Sequence, residues 1–183
     1  MTIYPLTIAH WNQVKGIYEQ GIASGDATFQ TDVPSWKEWH QTCLPHSRLV
    51  AVDEGYGQSN QVLGWAALAP ISGRAVYQGV ADVQVYVAGF ARGRGVGRQL
   101  LEALVSESEA HGMWLLQASV FPENTTTISI YAGAGFREVG HRERMGQLHG
   151  VWRSVVLLER RSAVVGVEVS PLISPVPKTY ATL

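Results

Sequence analysis

A chain of 183 residues, 46% of them apolar, has enough material for one domain with a full core. Lys and Arg number 14 against 15 Asp and Glu, a formal charge of −1, which excludes the broad basic excess of a general nucleic-acid binder. Cys43 is the single cysteine, so an internal disulfide is excluded. With no basic-then-apolar leader and no apolar run of about 18 residues, a cytoplasmic protein without a membrane span is expected.

In chain order, Thr2 to Tyr4 reads as a short strand. Thr7 is placed to cap a helix carrying Trp11, Val14, Ile17, Tyr18 and Ile22 on one side. Gly21 and Gly25 loosen the chain into a loop from Ser24 to Asp32 that holds Phe29, and a short helix follows Pro34, over Ser35 to Thr42. Arg48 to Asp53 and Val62 to Pro70 read as strands joined by a turn over Glu54 to Asn60. Val80 to Ala88 is a strand with valines alternating at 83, 85 and 87. The glycine-rich stretch Gly89 to Gly97 then opens a helix. There Val96, Leu100, Leu101, Leu104 and Val105 form an apolar stripe, with Arg98, Gln99, Glu102 and Glu107 outside it. Gly112 stops that helix, Met113 to Val120 is a strand, and Pro122 and Asn124 open a helix ending near Gly133 to Gly135. Phe136 to Gly140 and Val151 to Glu159 read as closing strands. The order predicts an α/β or α+β domain over residues 1–160, with a mixed, mostly antiparallel sheet and helices on both faces. Residues 161–183, with prolines at 171, 175 and 177, read as a tail.

The stretch from Val85 to Arg98 carries the chemistry. A helix start leaves backbone N–H groups unpaired and carries partial positive charge, and a phosphate placed there meets both. Glycines at 93, 95 and 97 remove β-carbons that would hold a diphosphate off the backbone. Arg92, Arg94 and Arg98 are placed to add charge-assisted hydrogen bonds. A P-loop needs Gly-Lys-Ser/Thr and a dinucleotide fingerprint needs G-x-G-x-x-G, whereas this loop runs G-x-G-x-G. None of the six histidines has metal-type spacing with Cys or carboxylates, so no metal is expected.

Arg92-x-x-Gly95-x-Gly97 after a valine-rich strand resembles the acyl-CoA pyrophosphate loop of the GNAT superfamily of N-acyltransferases, and Asn124, Tyr131 and Gly135-Phe136 resemble a second element of that superfamily. Ala27-Thr28-Phe29, Trp36, Ala81-Asp82 and Gly150-x-Trp152 are similar to features of phosphinothricin and methionine sulfoximine acetyltransferases, over roughly Thr2 to Arg160. The resemblance implies an acetyl-CoA co-substrate, a primary amine of a small amino acid or analogue as acceptor, direct attack in a ternary complex and a homodimer.

It also implies roles. Asp82 stands where the family usually has Glu, as the base that deprotonates the amine; the alternative is a solvated strand-end carboxylate. Tyr131 corresponds to the general acid at the departing thiolate, or else is a core-facing helix tyrosine. Val85, Tyr86 and Val87 are expected to pair with pantetheine through their backbone and to supply the N–H that meets the oxyanion. Val96 lies at the phosphate-binding helix start, and Asn124 is expected on the pantetheine or phosphate region, at a helix cap, or both. Phe29 and Trp36 are expected to wall the acceptor pocket, and Arg74 to meet an acceptor carboxylate unless it is a plain surface arginine. The rival functions are acetylation of a protein N-terminus or a polyamine, and a non-catalytic acyl-CoA sensor.

Overall fold

The computed structural model describes residues 1–55 and 60–167. Its strands are β1 (Thr2–Pro5), β2 (Arg48–Asp53), β3 (Gln61–Pro70), β4 (Val80–Val87), β5 (Leu115–Val120), β6 (Arg137–Leu148) and β7 (Val151–Arg161). Its helices are α1 (Trp11–Ser24), α2 (Trp36–Thr42), α3 (Val96–Ala110) and α4 (Thr125–Gly133). The strands form one sheet of seven, ordered β1-β2-β3-β4-β5-β7-β6. Every described neighbouring pair is antiparallel except β4 and β5. This is the mixed, mostly antiparallel sheet that the element order implies.

Strand parity assigns the two faces. Tyr86 is paired with Trp65, and Tyr18 of α1 lies against both rings at 4.8 and 5.3 Å, so α1 covers the face carrying Asp82, Gln84 and Tyr86. Val87 and Gly64 point the other way, against Gly97 and Leu100 of α3. The apolar stripe of α3 is buried as its spacing requires, with Val96, Leu100, Leu101 and Leu104 shielded from solvent. Each such leucine contributes about 1.5–3 kcal/mol relative to exposure. That burial fixes α3 on the sheet and with it the position of the loop that precedes it.

Local signals explain the other ends. Ser35 caps α2, accepting from the Glu38 amide at 3.3 Å while the Glu38 carboxylate accepts from the Ser35 amide at 2.8 Å. Thr7 caps a 3-10 turn, Ile8–His10, rather than α1 itself. Asn124 caps α4 through the Thr127 amide at 3.2 Å.

The closing hairpin departs from expectation. The first strand, expected over Phe136 to Gly140, is β6 and runs from Arg137 to Leu148. Register breaks at Glu138/Gly140 and Arg142/Gly146, with Arg144 at φ 49°, interrupt its period-two alternation, so polarity alone hides the strand. The final strand ends at Arg161, and the chain beyond it is anchored at first: the buried Ser162 hydroxyl donates to Glu109 at 2.9 Å. Positions 56–59 of the expected β2–β3 turn and 168–183 of the expected tail lie outside the described residues. Among the described residues no helix is long and apolar enough to cross a membrane, and no group of three or more His, Cys, Asp or Glu is placed to hold a metal ion.

Candidate active site

The loop between β4 and α3 is pinned from both sides. The Ala88 amide donates to the Leu63 carbonyl at 2.9 Å, and the Gly89 amide donates to the Gln20 side-chain oxygen of α1 at 2.9 Å. Ala91 is fully buried and anchors the turn. Gly95 sits in the left-handed region at φ 78° and is the N-cap of α3; its carbonyl accepts from Gln99 at 3.1 Å. The first helical bond therefore leaves the amides of Val96, Gly97 and Arg98 without helical acceptors. Gly93 shares the left-handed conformation. Gly97 faces Val87, which a β-carbon there would approach to 3.3 Å, so its smallness brings the helix start against the strand.

The three arginines differ. Arg98 lies along α3 and pairs with Glu102 at 2.8 Å, while Arg94 reaches Asp53 at 3.4 Å. Arg92 is exposed and has no ion pair among the described residues. All three are solvent-facing, so the two pairs of Arg94 and Arg98 are weak and can be exchanged for an anion.

Pairing between β4 and β5 runs Val80 with Leu115, Ala81 with Leu116 and Asp82 with Gln117, and no described rung follows. β4 continues to Val87 and β5 to Val120, so beyond Asp82 the strands part and β4 presents the backbone of Val85, Tyr86 and Val87 on one side only; the other side is paired to β3. An extended chain carrying amides can pair with that free edge. Loop and edge together fit a molecule with a diphosphate at one end and an amide-bearing arm.

Asp82 stands at the head of this opening. It is half-buried, and desolvation pushes its carboxyl above the usual range, against the opposing effects of a hydrogen bond from Gln117 at 2.8 Å and the positive charge of Arg142. Tyr131 of α4 is buried, edge-on to Phe136 at 4.9 Å. Burial raises its phenol pKa, and the charges of Tyr86 and Asp82 push it the same way, so the phenol is protonated at neutral pH. Those two influences bring Asp82, Tyr86 and Tyr131 into one neighbourhood.

Asn124 caps α4, and its amide nitrogen reaches the Asp26 carbonyl at 3.5 Å, which ties the Phe29 loop to the start of that helix. Phe29 packs edge-on to Phe121 at 4.8 Å and covers Gly146, where a β-carbon would lie 3.0 Å from its ring. Trp36 joins an aromatic cluster with Trp11 and Trp39, both at 5.5 Å, and His40 at 5.3 Å. Its ring contacts thus lie on α1 and α2 rather than on Phe29. Arg74 is exposed, with its guanidinium 5.6 Å from the Tyr77 ring.

Sequence reasoning missed Gln20, Gly21, Gln117, Arg142 and Arg153. A β-carbon at Gly21 would lie 2.7 Å from the Tyr86 ring, so this glycine makes room for it. Arg153 holds the Gly25 carbonyl at 2.9 Å and lies 4.2 Å over Phe121, fixing the loop that bears Phe29. None belongs to a short motif; each is defined by a partner far away in sequence.

Residues 16–136 match the model of the acetyltransferase (GNAT) family. The phosphinothricin N-acetyltransferase of Alcaligenes faecalis is 30% identical over 155 residues, 80% of this chain and 75% of that protein. The L-methionine sulfoximine/L-methionine sulfone acetyltransferase of Pseudomonas aeruginosa is 27% identical over 154 residues, 80% of this chain and 86% of that protein. In fold, the chain superposes with TM-score 0.80 on a GNAT superfamily phosphinothricin acetyltransferase from Sinorhizobium meliloti solved in complex with AcCoA, at 24% identity and covering 97% of this chain and 96% of that one. The chain belongs to the GNAT acetyltransferase family and is an acetyl-CoA-dependent acyltransferase.

Proposed function

We propose that this enzyme acetylates the primary amine of a small amino acid or analogue of the phosphinothricin or methionine sulfoximine type. One observation carries the reading: a half-buried carboxylate, Asp82, stands on the last rung before β4 and β5 separate, near enough to the buried phenol of Tyr131 for its charge to raise that phenol's pKa. The names of the relatives from Alcaligenes faecalis and Pseudomonas aeruginosa support the acceptor class.

The loop amides from Val96 to Arg98, with Arg92 and Arg94, hold the diphosphate, and the free edge at Val85 to Val87 pairs with the pantetheine amides. Acetyl-CoA supplies an activated thioester carbonyl. Asp82, basic because it is desolvated, takes a proton from the acceptor ammonium and frees its lone pair. A backbone N–H of β4 meets the negative charge that develops on the carbonyl oxygen as the C–N bond forms. The C–S bond then breaks. Tyr131 delivers its proton to the sulfur and recovers one from the newly acylated nitrogen. Phe29 walls the acceptor side through its contact with Phe121. The acceptor carboxylate meets Arg74 or Arg142, of which Arg142 acts electrostatically on Asp82. Residues 1–160 form the catalytic domain. The exposed Met145, Val151 and Trp152 on the last hairpin support a homodimer.

Thiol release from acetyl-CoA, measured across small amino acids, sulfoximines, polyamines and N-terminal peptides, tests the reading. Turnover confined to the amino-acid class supports it. Binding of acetyl-CoA with no turnover on any amine indicates a sensor, and preference for a polyamine or peptide overturns the acceptor assignment.

A further inference from the structure

The sheet holds one polar row that starts at Asp82 and continues through residues to which no role has been given. Asp82 of β4 is registered with Gln117 of β5, Gln117 with Glu159 of β7, and Glu159 with Arg137 of β6. Residues directly opposite in a sheet point to the same face, so these four side chains run across four strands in one line. At the far end Glu159 is neutralised by an ion pair with Arg137. At the near end Asp82 has no ion pair among the described residues; its partner is the Gln117 amide, which donates to Oδ1 at 2.8 Å. This is also the last rung before β4 and β5 separate.

We propose that Gln117 is the positioning residue for Asp82, fixing Oδ1 so that Oδ2 is the oxygen that takes the acceptor's proton. The inference rests on the reading of Asp82 as base. The residue type suits the task. A lysine or arginine would also grip the carboxylate, but its charge would depress basicity strongly. A carboxamide donates a hydrogen bond, stays neutral at every pH and cannot itself protonate the base. Only one methylene separates the Asp82 carboxylate from its backbone, so its reach depends on its orientation. The backbone rung holds the Cα atoms of the two residues in register, which leaves the short side chain little freedom once Oδ1 is held.

The other groups facing Asp82 do not replace this contact. Arg142 of β6 acts on it through charge without a hydrogen bond, and Tyr131 of α4 and Tyr86 of β4 carry phenols whose pKa values burial raises. From β3 the register partner is Ala69, which has no polar side chain. Glu159 lies beyond Gln117 and is occupied by Arg137.

The test compares Gln117→Met, which copies the length and removes the donor, with Asp82→Asn and with the double variant Asp82→Glu/Gln117→Asn, which moves one methylene across the hydrogen bond. The readouts are kcat/KM against pH with the best amine and the carbon-13 titration of the Asp82 carboxyl in the free protein. Losing a hydrogen bond to the ionised form raises its pKa, so Gln117→Met should move the acid limb and the NMR midpoint up by about one unit or more. It should lower kcat/KM about tenfold at neutral pH and leave acetyl-CoA affinity unchanged. The double variant should recover most of that loss. An unmoved midpoint in Gln117→Met with wild-type kcat/KM overturns the proposal, and so does a double variant no better than Gln117→Met. If Gln117→Met does not fold, the double variant decides alone: a wild-type-like limb supports the inference, and a limb displaced by a unit or more overturns it. Wild-type turnover in Asp82→Asn would instead remove Asp82 as base, a separate failure.

Discussion

Replacing Gly95 by alanine separates the cost of folding the loop from the cost of binding at it. Gly95 has φ 78°, and a β-carbon there would find only the Gln99 side-chain nitrogen, at 3.7 Å, an ordinary contact. The free protein therefore has room for the methyl group and incurs only backbone strain, about 1–2 kcal/mol for an L-residue in the left-handed region. For a chain of this size that lowers Tm by about 2–8 °C. Binding suffers separately. The methyl group stands where a diphosphate must approach the amides of Val96, Gly97 and Arg98, and each lost hydrogen bond to a charged group costs about 1.5–3 kcal/mol. Acetyl-CoA affinity should fall about 10- to 100-fold per bond lost. Gly112 supplies a matched control, since it lies just beyond the other end of α3 at φ 77° with nothing within 4 Å of its β-carbon. Gly112→Ala should reproduce the loss of Tm and leave affinity unchanged. Calorimetric titration with acetyl-CoA and thermal unfolding of both variants provide the measurement. A folded Gly95→Ala that binds within twofold of wild type, or a Gly112→Ala that binds as poorly, refutes the assignment of this helix start as the phosphate site.

Three further expectations concern titratable groups. Tyr131→Phe should slow single-turnover thiol release about 10- to 100-fold with little change in acetyl-CoA affinity, and a wild-type rate would leave the phenol a packing group beside Phe136. Burial raises the Asp82 pKa, and a carboxyl whose folded pKa exceeds its unfolded value stabilises the fold at low pH and loses that contribution as pH rises through the folded value. Asp82→Asn, which keeps an oxygen for Gln117, should therefore be neutral or stabilising in thermal unfolding at pH 7 to 8 while abolishing the acid limb of kcat/KM; marked destabilisation there would contradict the desolvation argument. Cys43 is buried and its thiol is pushed up to about 11, so at pH 8 about one molecule in a thousand carries the thiolate. Labelling by a thiol reagent should be slow in the native protein and fast in denaturant, and rapid stoichiometric labelling without denaturant would show the site to be open.

Much of the architecture is local and was legible in residue order. The valines of β4, the glycines and arginines before α3 and the stripe from Val96 to Leu104 each act within one or two turns of chain, where periodicity has direct physical meaning. The loop proposed to hold the diphosphate is of this kind, because its amides belong to the helix that its own residues start. The full length of β6 is not legible in the same way, because its two register breaks and the left-handed Arg144 belong to its pairing with β7. The fate of individual site residues was not local either. Trp36 has the same composition around it whether it faces an acceptor or packs on Trp11, and only the placement of α2 against α1 decides. The same holds for Arg74, stacked on Tyr77 at the surface.

By itself the sequence determined the element order and the glycine-rich helix start before Val96, since these depend on backbone geometry within short segments, while Asp82 and Tyr131 were singled out by their resemblance to a family pattern. Tertiary structure alone decided that Gln117 meets Asp82, that Gln20 holds the Gly89 amide, and that Arg153 and Gly146 frame the Phe29 loop. Those contacts join residues separated by tens of positions. Their existence depends on the register between strands and on which face a side chain occupies, which a shift of one residue would reverse.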